Sequence, residues 1–129
     1  MSNQTAPPGA PVILIVEDEP MILMELGFAV EDLGAHAIKA TSCEKALEAI
    51  AERRPDAAVL DFNLGRNKTC EPISEELKSL QVPYILHSGD LMRKGEEIQG
   101  MGVEVIPKPS DSREVARRVV ALVARKAAE

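Results

Sequence analysis

The chain has 129 residues, 45% of them hydrophobic, enough for one domain to bury a core without metals or disulfides. Charged residues make up 28%, the formal net charge is −6 and the sequence pI is about 5.0. That balance works against binding a phosphate backbone, so nucleic acid is not an expected partner. No apolar run approaches the roughly 20 residues of a membrane span, and Met1 to Ala10 lack the basic and apolar regions of a signal peptide, so no membrane partner and a cytoplasmic location are expected. Cys43 and Cys70 have neither CxxC spacing nor a secretory setting and read as reduced thiols.

Residues 1–11, MSNQTAPPGAP, are polar, rich in Pro and without period, which predicts a disordered arm ahead of a single domain over 12–127. Short β-branched runs then alternate with helix-like stretches. The runs are VILIV at 12–16, AHAIKA at 35–40, AAVLD at 57–61, PYILHS at 83–88 and VEVI at 103–106, which predict five strands. The first is apolar throughout, as a strand covered on both faces should be.

Between the strands, apolar residues recur at helical spacing: Ile22, Leu26, Ala29 and Leu33, then Ala46, Leu47 and Ile50, then Ile73, Leu77 and Leu80. These predict helices facing a core. Pro20 suits a first helical turn and Gly34 a left-handed cap, so the first helix is expected over 20–33. In 91–101, Gly95 and Gly100 each cost a helix about 1 kcal/mol relative to Ala, which predicts a weak element. The last helix, over 111–127, carries Val115, Val119 and Leu122 on one line and Ala116, Val120 and Val123 on the next. This stripe is wider than one-sided packing requires and marks a candidate partner interface.

The alternation predicts an α/β fold, a doubly wound, five-stranded parallel sheet with helices on both faces. Sites in such sheets form beyond the carboxyl ends of the strands. Those ends hold Glu17, Asp18 and Glu19, then Asp61, then Ser88, then Lys108. If Asp61 lies about 5 Å from Asp18, with Glu17 a little farther, each close pair repels by roughly 3 kcal/mol at an effective dielectric near 20. A hard divalent cation would relieve that repulsion, and Mg²⁺ suits a few carboxylate and carbonyl oxygens. With Lys108 as a second positive charge, the set meets the needs of phosphoryl transfer, with Asp61 as nucleophile and Ser88 donating a hydroxyl.

Each residue alone has an ordinary explanation. Glu17 to Glu19 would suit a helix N-terminus, Asp61 a turn, Ser88 a loop and Lys108 a solvated surface. Only their joint placement at four strand ends points to chemistry. His87 and Tyr84 read as packed strand residues, and His36 as a surface residue before the second strand.

The motifs VEDEP at 16–20, PDAAVLDFNLG at 55–65, PYILHSG at 83–89 and PKP at 107–109 resemble those of response-regulator receiver domains of two-component systems, and the resemblance runs from Val12 to Val123. It implies a flavodoxin-like fold and a phospho-acceptor at Asp61. It further implies Mg²⁺ held by Asp18, by Glu17 through water, by Asp61 and by the backbone carbonyl of Asn63, with Ser88 and Lys108 contacting the phosphoryl group. The implied partners are a sensor histidine kinase or histidine phosphotransfer protein upstream and an unspecified protein downstream, with the chain a stand-alone receiver, monomeric or weakly homodimeric. One departure concerns the switch. The family places an aromatic residue two or three positions before the lysine, and this chain has Val105 and Ile106 there. The fourth-strand region is similar to a receiver subgroup with a PFxFATGY-like motif, although Tyr84, His87, Ser88 and Asp90 replace several of its letters. That moves the expected response to residues 89–100.

Two other functions fit the same pattern. A Mg²⁺-dependent phosphatase with an aspartyl-phosphate intermediate of the haloacid-dehalogenase type looks for a second Asp where this chain has Asn63. A receiver fold that docks or dimerises without phosphate would not need the acidic site.

Overall fold

The computed structural model describes residues 9–61, 71–88, 104–107 and 111–128. The elements in chain order are β1 (Val12–Val16), α1 (Pro20–Asp32), β2 (His36–Ala40), α2 (Cys43–Glu52), β3 (Ala57–Asp61), α3 (Glu71–Ser79), β4 (Tyr84–Ser88), β5 (Glu104–Pro107) and α4 (Ser112–Ala128). The five strands form one sheet in the order β2-β1-β3-β4-β5, and every pairing is parallel. This is the expected α/β architecture. The weak element expected over 91–101, Cys70 and part of the arm lie outside the described residues.

Parallel strands alternate their side chains between two faces, and both faces are covered. Leu14, Val16, Ala58, Leu60, Tyr84 and Leu86 pack with Ala46 and Ile50 of α2 and with Ile73 and Leu77 of α3. Ile13, Ile15, Ala57, Val59 and Ile85 pack with Leu23, Leu26 and Val30 of α1 and with Val115, Ala116 and Val119 of α4. All five residues of β1 are at most 1% exposed, which is why VILIV shows no alternation. His36 is half-buried and opens β2 opposite Val12. It therefore belongs to the strand, and its N–H donates to the carbonyl of Pro11 at 2.8 Å. At the same end of β1, the Val12 N–H donates to Asp56 Oδ2 at 2.7 Å.

The buried face of α1 is Leu23, Leu26, Gly27 and Val30. The sequence pattern suggests a line through Ile22, Leu26, Ala29 and Leu33. In the fold, Ile22 and Ala29 only flank the core and Leu33 is exposed. Apolar residues surround this helix almost completely, so spacing alone does not select its inner face. On α4 the wide stripe is absorbed by packing, because Val120, Leu122 and Val123 lie against the same core as Val115 and Val119. This helix packs on α1 as well as on β3 and β4, and two neighbours need two apolar lines. The excess surface expected there is instead on α1, as Met21, Met24 and Phe28. Among the described residues no helix is long and apolar enough to cross a membrane.

Two helices end in the same way. After α1, Gly34 has φ +88°, its N–H donates to Glu31 O, and the Ala35 N–H donates to Val30 O. After α3, Gln81 has φ +60°, with Gln81 N–H to Lys78 O and Val82 N–H to Leu77 O. Both are the six-to-one and five-to-two pattern of a Schellman cap. Gln81 bears a Cβ in a conformation that favours glycine, a strain of about 1 kcal/mol. The converse holds at Gly27, buried inside α1, where an added Cβ would come within 3.1 Å of the Lys39 Cδ. Lys39 is exposed, so its flexible chain can move aside. We expect Gln81→Gly and Gly27→Ala each to raise unfolding free energy by roughly 0.5–1 kcal/mol, measured by urea denaturation with unchanged m-value.

Candidate functional site

Strand register builds the site. Val16 pairs with both Ala40 and Leu60, so Glu17, one residue beyond β1, lies level with Asp61, the last residue of β3. The Glu17 N–H still follows β2, donating to Ala40 O at 3.0 Å. Asp61 pairs with His87, and Ser88 pairs with Pro107. Glu17, Asp61, Ser88 and the end of β5 therefore share the carboxyl edge of the sheet. Asn63 and Lys108, also expected at this edge, lie outside the described residues. Lys108 directly follows Pro107 in the chain.

The carboxylates of Glu17, Asp18 and Asp61 each present an oxygen within 4.8 Å of the others. Two of the three are sunk into the protein, with Glu17 1% and Asp61 4% exposed, while Asp18 is exposed. At an effective dielectric near 20, unit charges at that separation repel by about 3 kcal/mol. Glu17 Oε2 accepts from the Glu19 N–H at 3.3 Å, and the α1 N-terminus adds no side-chain cap from Glu19 itself. The acidic run is thus more than a helix cap, since its first member turns inward toward Asp61. The donor set fits a hard divalent cation. It offers only carboxylate oxygens, and its exposed member leaves the water access that Mg²⁺ retains when bound.

His87 is 3% exposed, the packed residue its strand position implies, and Tyr84 is buried in the core with α2 and α3. No motif in the sequence connects His87 to the site, yet it pairs with Asp61 across β3 and β4. The signal was available in its parity, because Ile85 and His87 alternate together on β4 as Val59 and Asp61 do on β3.

The profile of the response regulator receiver domain family matches residues 13–120, and the chain belongs to that family. Receiver domains act in two-component and phosphorelay signal transduction, accept phosphate from histidine kinases or phosphotransfer proteins and bind Mg²⁺. The chain is 33% identical over 123 residues to the phosphate regulon transcriptional regulatory protein PhoB of Pseudomonas aeruginosa, covering 88% of this chain and 52% of that protein. It is 31% identical over 122 residues to the alkaline phosphatase synthesis transcriptional regulatory protein PhoP of Bacillus subtilis, covering 88% and 48%. The chain thus spans about half the length of these relatives. Among solved structures, a CheY-like receiver domain from Methanospirillum hungatei superposes with a TM-score of 0.81 at 19% identity, covering 93% of this chain and 98% of that one.

A carboxylate cluster of this kind makes opposite demands with and without cation. In metal-free buffer, Asp18→Asn removes like charge at the partly solvated corner and is expected to raise unfolding free energy by about 1 kcal/mol. In saturating Mg²⁺ the order is expected to reverse, because a cation held by the cluster in the folded state would stabilise the parent chain by about 2.7 kcal/mol at a hundredfold excess over Kd. Thermal melts of both chains with and without Mg²⁺ check this crossing.

Proposed function

We propose that Asp61 is the phospho-acceptor of a receiver that takes its phosphoryl group from a sensor histidine kinase or a histidine phosphotransfer protein and then alters a protein-binding surface. The observation that carries this reading is the gathering of Glu17, Asp18 and Asp61 at the ends of β1 and β3, with Asp61 almost fully buried. A carboxylate needs no base to remove a proton before it attacks. One Asp61 oxygen forms a bond to phosphorus as the bond from phosphorus to the donor imidazole nitrogen breaks. The electron pair of that bond stays on the imidazole.

In this proposal Asp18, Asp61 and the Asn63 carbonyl would hold Mg²⁺ directly, and Glu17 would act on it through water. A Mg²⁺ ion held by these residues would supply charge neutralisation at the phosphoryl oxygens. The Ser88 hydroxyl and the Lys108 ammonium donate to other phosphoryl oxygens, fixing the in-line geometry. The chain turns over no separate substrate, and it acts in the cytoplasm. Val105 and Ile106 pair with Leu86 and His87, so the fifth strand has no aromatic residue at its usual switching position. The response is assigned to residues 89–100.

Incubation with a phosphohistidine donor and Mg²⁺ should add one phosphoryl mass to the chain, sensitive to hydroxylamine as an acyl phosphate is, and Asp61→Asn should reduce labelling at least about a thousandfold. Stoichiometric label on that variant refutes the assignment. In a parallel measurement, beryllofluoride with Mg²⁺ should shift the amide resonances of residues 89–100. An unchanged spectrum there would favour a receiver that docks without phosphate.

A further inference from the structure

Among the described residues, the buried polar or charged side chains are Glu17, Asp61, Ser74 and His87. Ser74 lies within α3, whereas the other three line up along one edge. Val16 pairs with Leu60, and Asp61 pairs with His87, so Glu17, Asp61 and His87 stand on successive strands at one level of the carboxyl rim. Their parity is also shared. Ile15, Val59 and Ile85, two residues earlier on each strand, all pack on the α1–α4 side, and side chains two residues apart leave a strand on the same face. His87 therefore leaves the sheet on the same side as Asp61, one strand spacing of roughly 5 Å away.

The positions next to this pair are apolar. Val59 and Ile85, behind it, are at most 1% exposed, and the β5 residue paired with His87 is Ile106. A buried imidazole carries at least one N–H, which needs an acceptor, and the acceptor that strand register sets beside His87 is the Asp61 carboxylate. Aspartate χ2 is a broad torsion, so a carboxylate without a fixed donor presents its oxygens in many orientations. Phosphoryl transfer needs one of them in line with phosphorus. A donor on the other oxygen is compatible with that attack, since an ionised carboxylate has about four lone-pair sites.

Resting on the reading of Asp61 as phospho-acceptor, we propose that His87 is its positioning residue: the imidazole N–H donates to one Asp61 oxygen and holds the other in line with the incoming phosphorus. His87 neither attacks nor gives up a proton. One Asp61 oxygen bonds to phosphorus, and the bond from phosphorus to the donor nitrogen breaks with its electron pair passing to that nitrogen. The imidazole N–H stays on the second Asp61 oxygen throughout. A hydrogen bond to a charged acceptor, shielded from water, is strong enough to fix such an orientation. It also accounts for a polar ring near the end of a strand whose preceding residues, Ile85 and Leu86, are wholly buried aliphatics.

The test compares His87→Leu, which fills the site without a donor, with His87→Asn and His87→Gln, whose amide N–H groups mimic the two ring nitrogens. Phosphoramidate, which has the same phosphorus–nitrogen bond as phosphohistidine, serves as donor to the full chain in saturating Mg²⁺, and hydroxylamine-sensitive mass gain is followed in time. His87→Leu should slow labelling at least about tenfold, and at least one amide variant should return to within about threefold of the parent. Urea denaturation should rank the variants the other way, with His87→Leu at least as stable as the amides. A packing role alone would make labelling follow stability, so the opposed order identifies the hydrogen bond. In a chain carrying isotope-labelled histidine, an imidazole N–H of His87 should resist solvent exchange and shift with Asp61→Asn. His87→Leu labelled at the parent rate, amide variants no faster than His87→Leu, or a ring resonance indifferent to Asp61→Asn overturns the positioning role and leaves Asp61 as acceptor. A parent chain that takes no label on Asp61 refutes the acceptor reading, and the positioning role falls with it.

Discussion

Covering a parallel sheet on both faces leaves polar chemistry one main place, the rim where strands end. In this chain the constraint is severe, since β1 and the interior of β3 are almost wholly sealed between helices. A charged side chain inside either core would meet no water and no partner of opposite sign. The carboxyl edge escapes that penalty because the strands stop there and the helices begin. Glu17 and Asp61 sit one step beyond the last apolar residues of their strands, deep enough to be shielded and close enough to the edge to be reached.

That position also explains why the acidic site is built from separate strands. Carboxylates so close repel, and neighbouring residues on one loop could relax apart. Here the hydrogen-bonded ladder between β1 and β3 fixes the level of Glu17 relative to Asp61, so backbone pairing holds the carboxylates close against their mutual repulsion. The stability of the sheet is thus what keeps Glu17, Asp18 and Asp61 together. A site with the same ligands on mobile loops would bind more weakly, because ordering the ligands would oppose binding.

The strands were legible because their composition is extreme. VILIV and AAVLD have no other plausible place than a doubly covered sheet, and their positions follow from the sequence to within a residue. The inner face of α1 was not legible, because eight of its residues and the following Leu33 are hydrophobic and are spread around the helix. Only the position of α4 decides which of them are covered. For the same reason the broad stripe on α4 reads as surplus in sequence and as necessary in the fold. Strand-end logic located Glu17, Asp18 and Asp61 together, but the depth of Glu17 depends on how β2 continues beside it, a long-range fact that a run of three acids does not reveal. Register likewise brought His87 beside Asp61, although nothing in its local sequence distinguishes it from a packed histidine.

The two cores described above have no side chain in common. The sheet therefore acts as a partition, through which packing changes pass only by moving strand backbone. Truncations on opposite sides should behave as nearly independent perturbations, and either side can drift in sequence without forcing repacking of the other. The α2–α3 side and the α1–α4 side are, in that sense, two separately editable surfaces mounted on one rigid plate, and the acidic rim belongs to the plate.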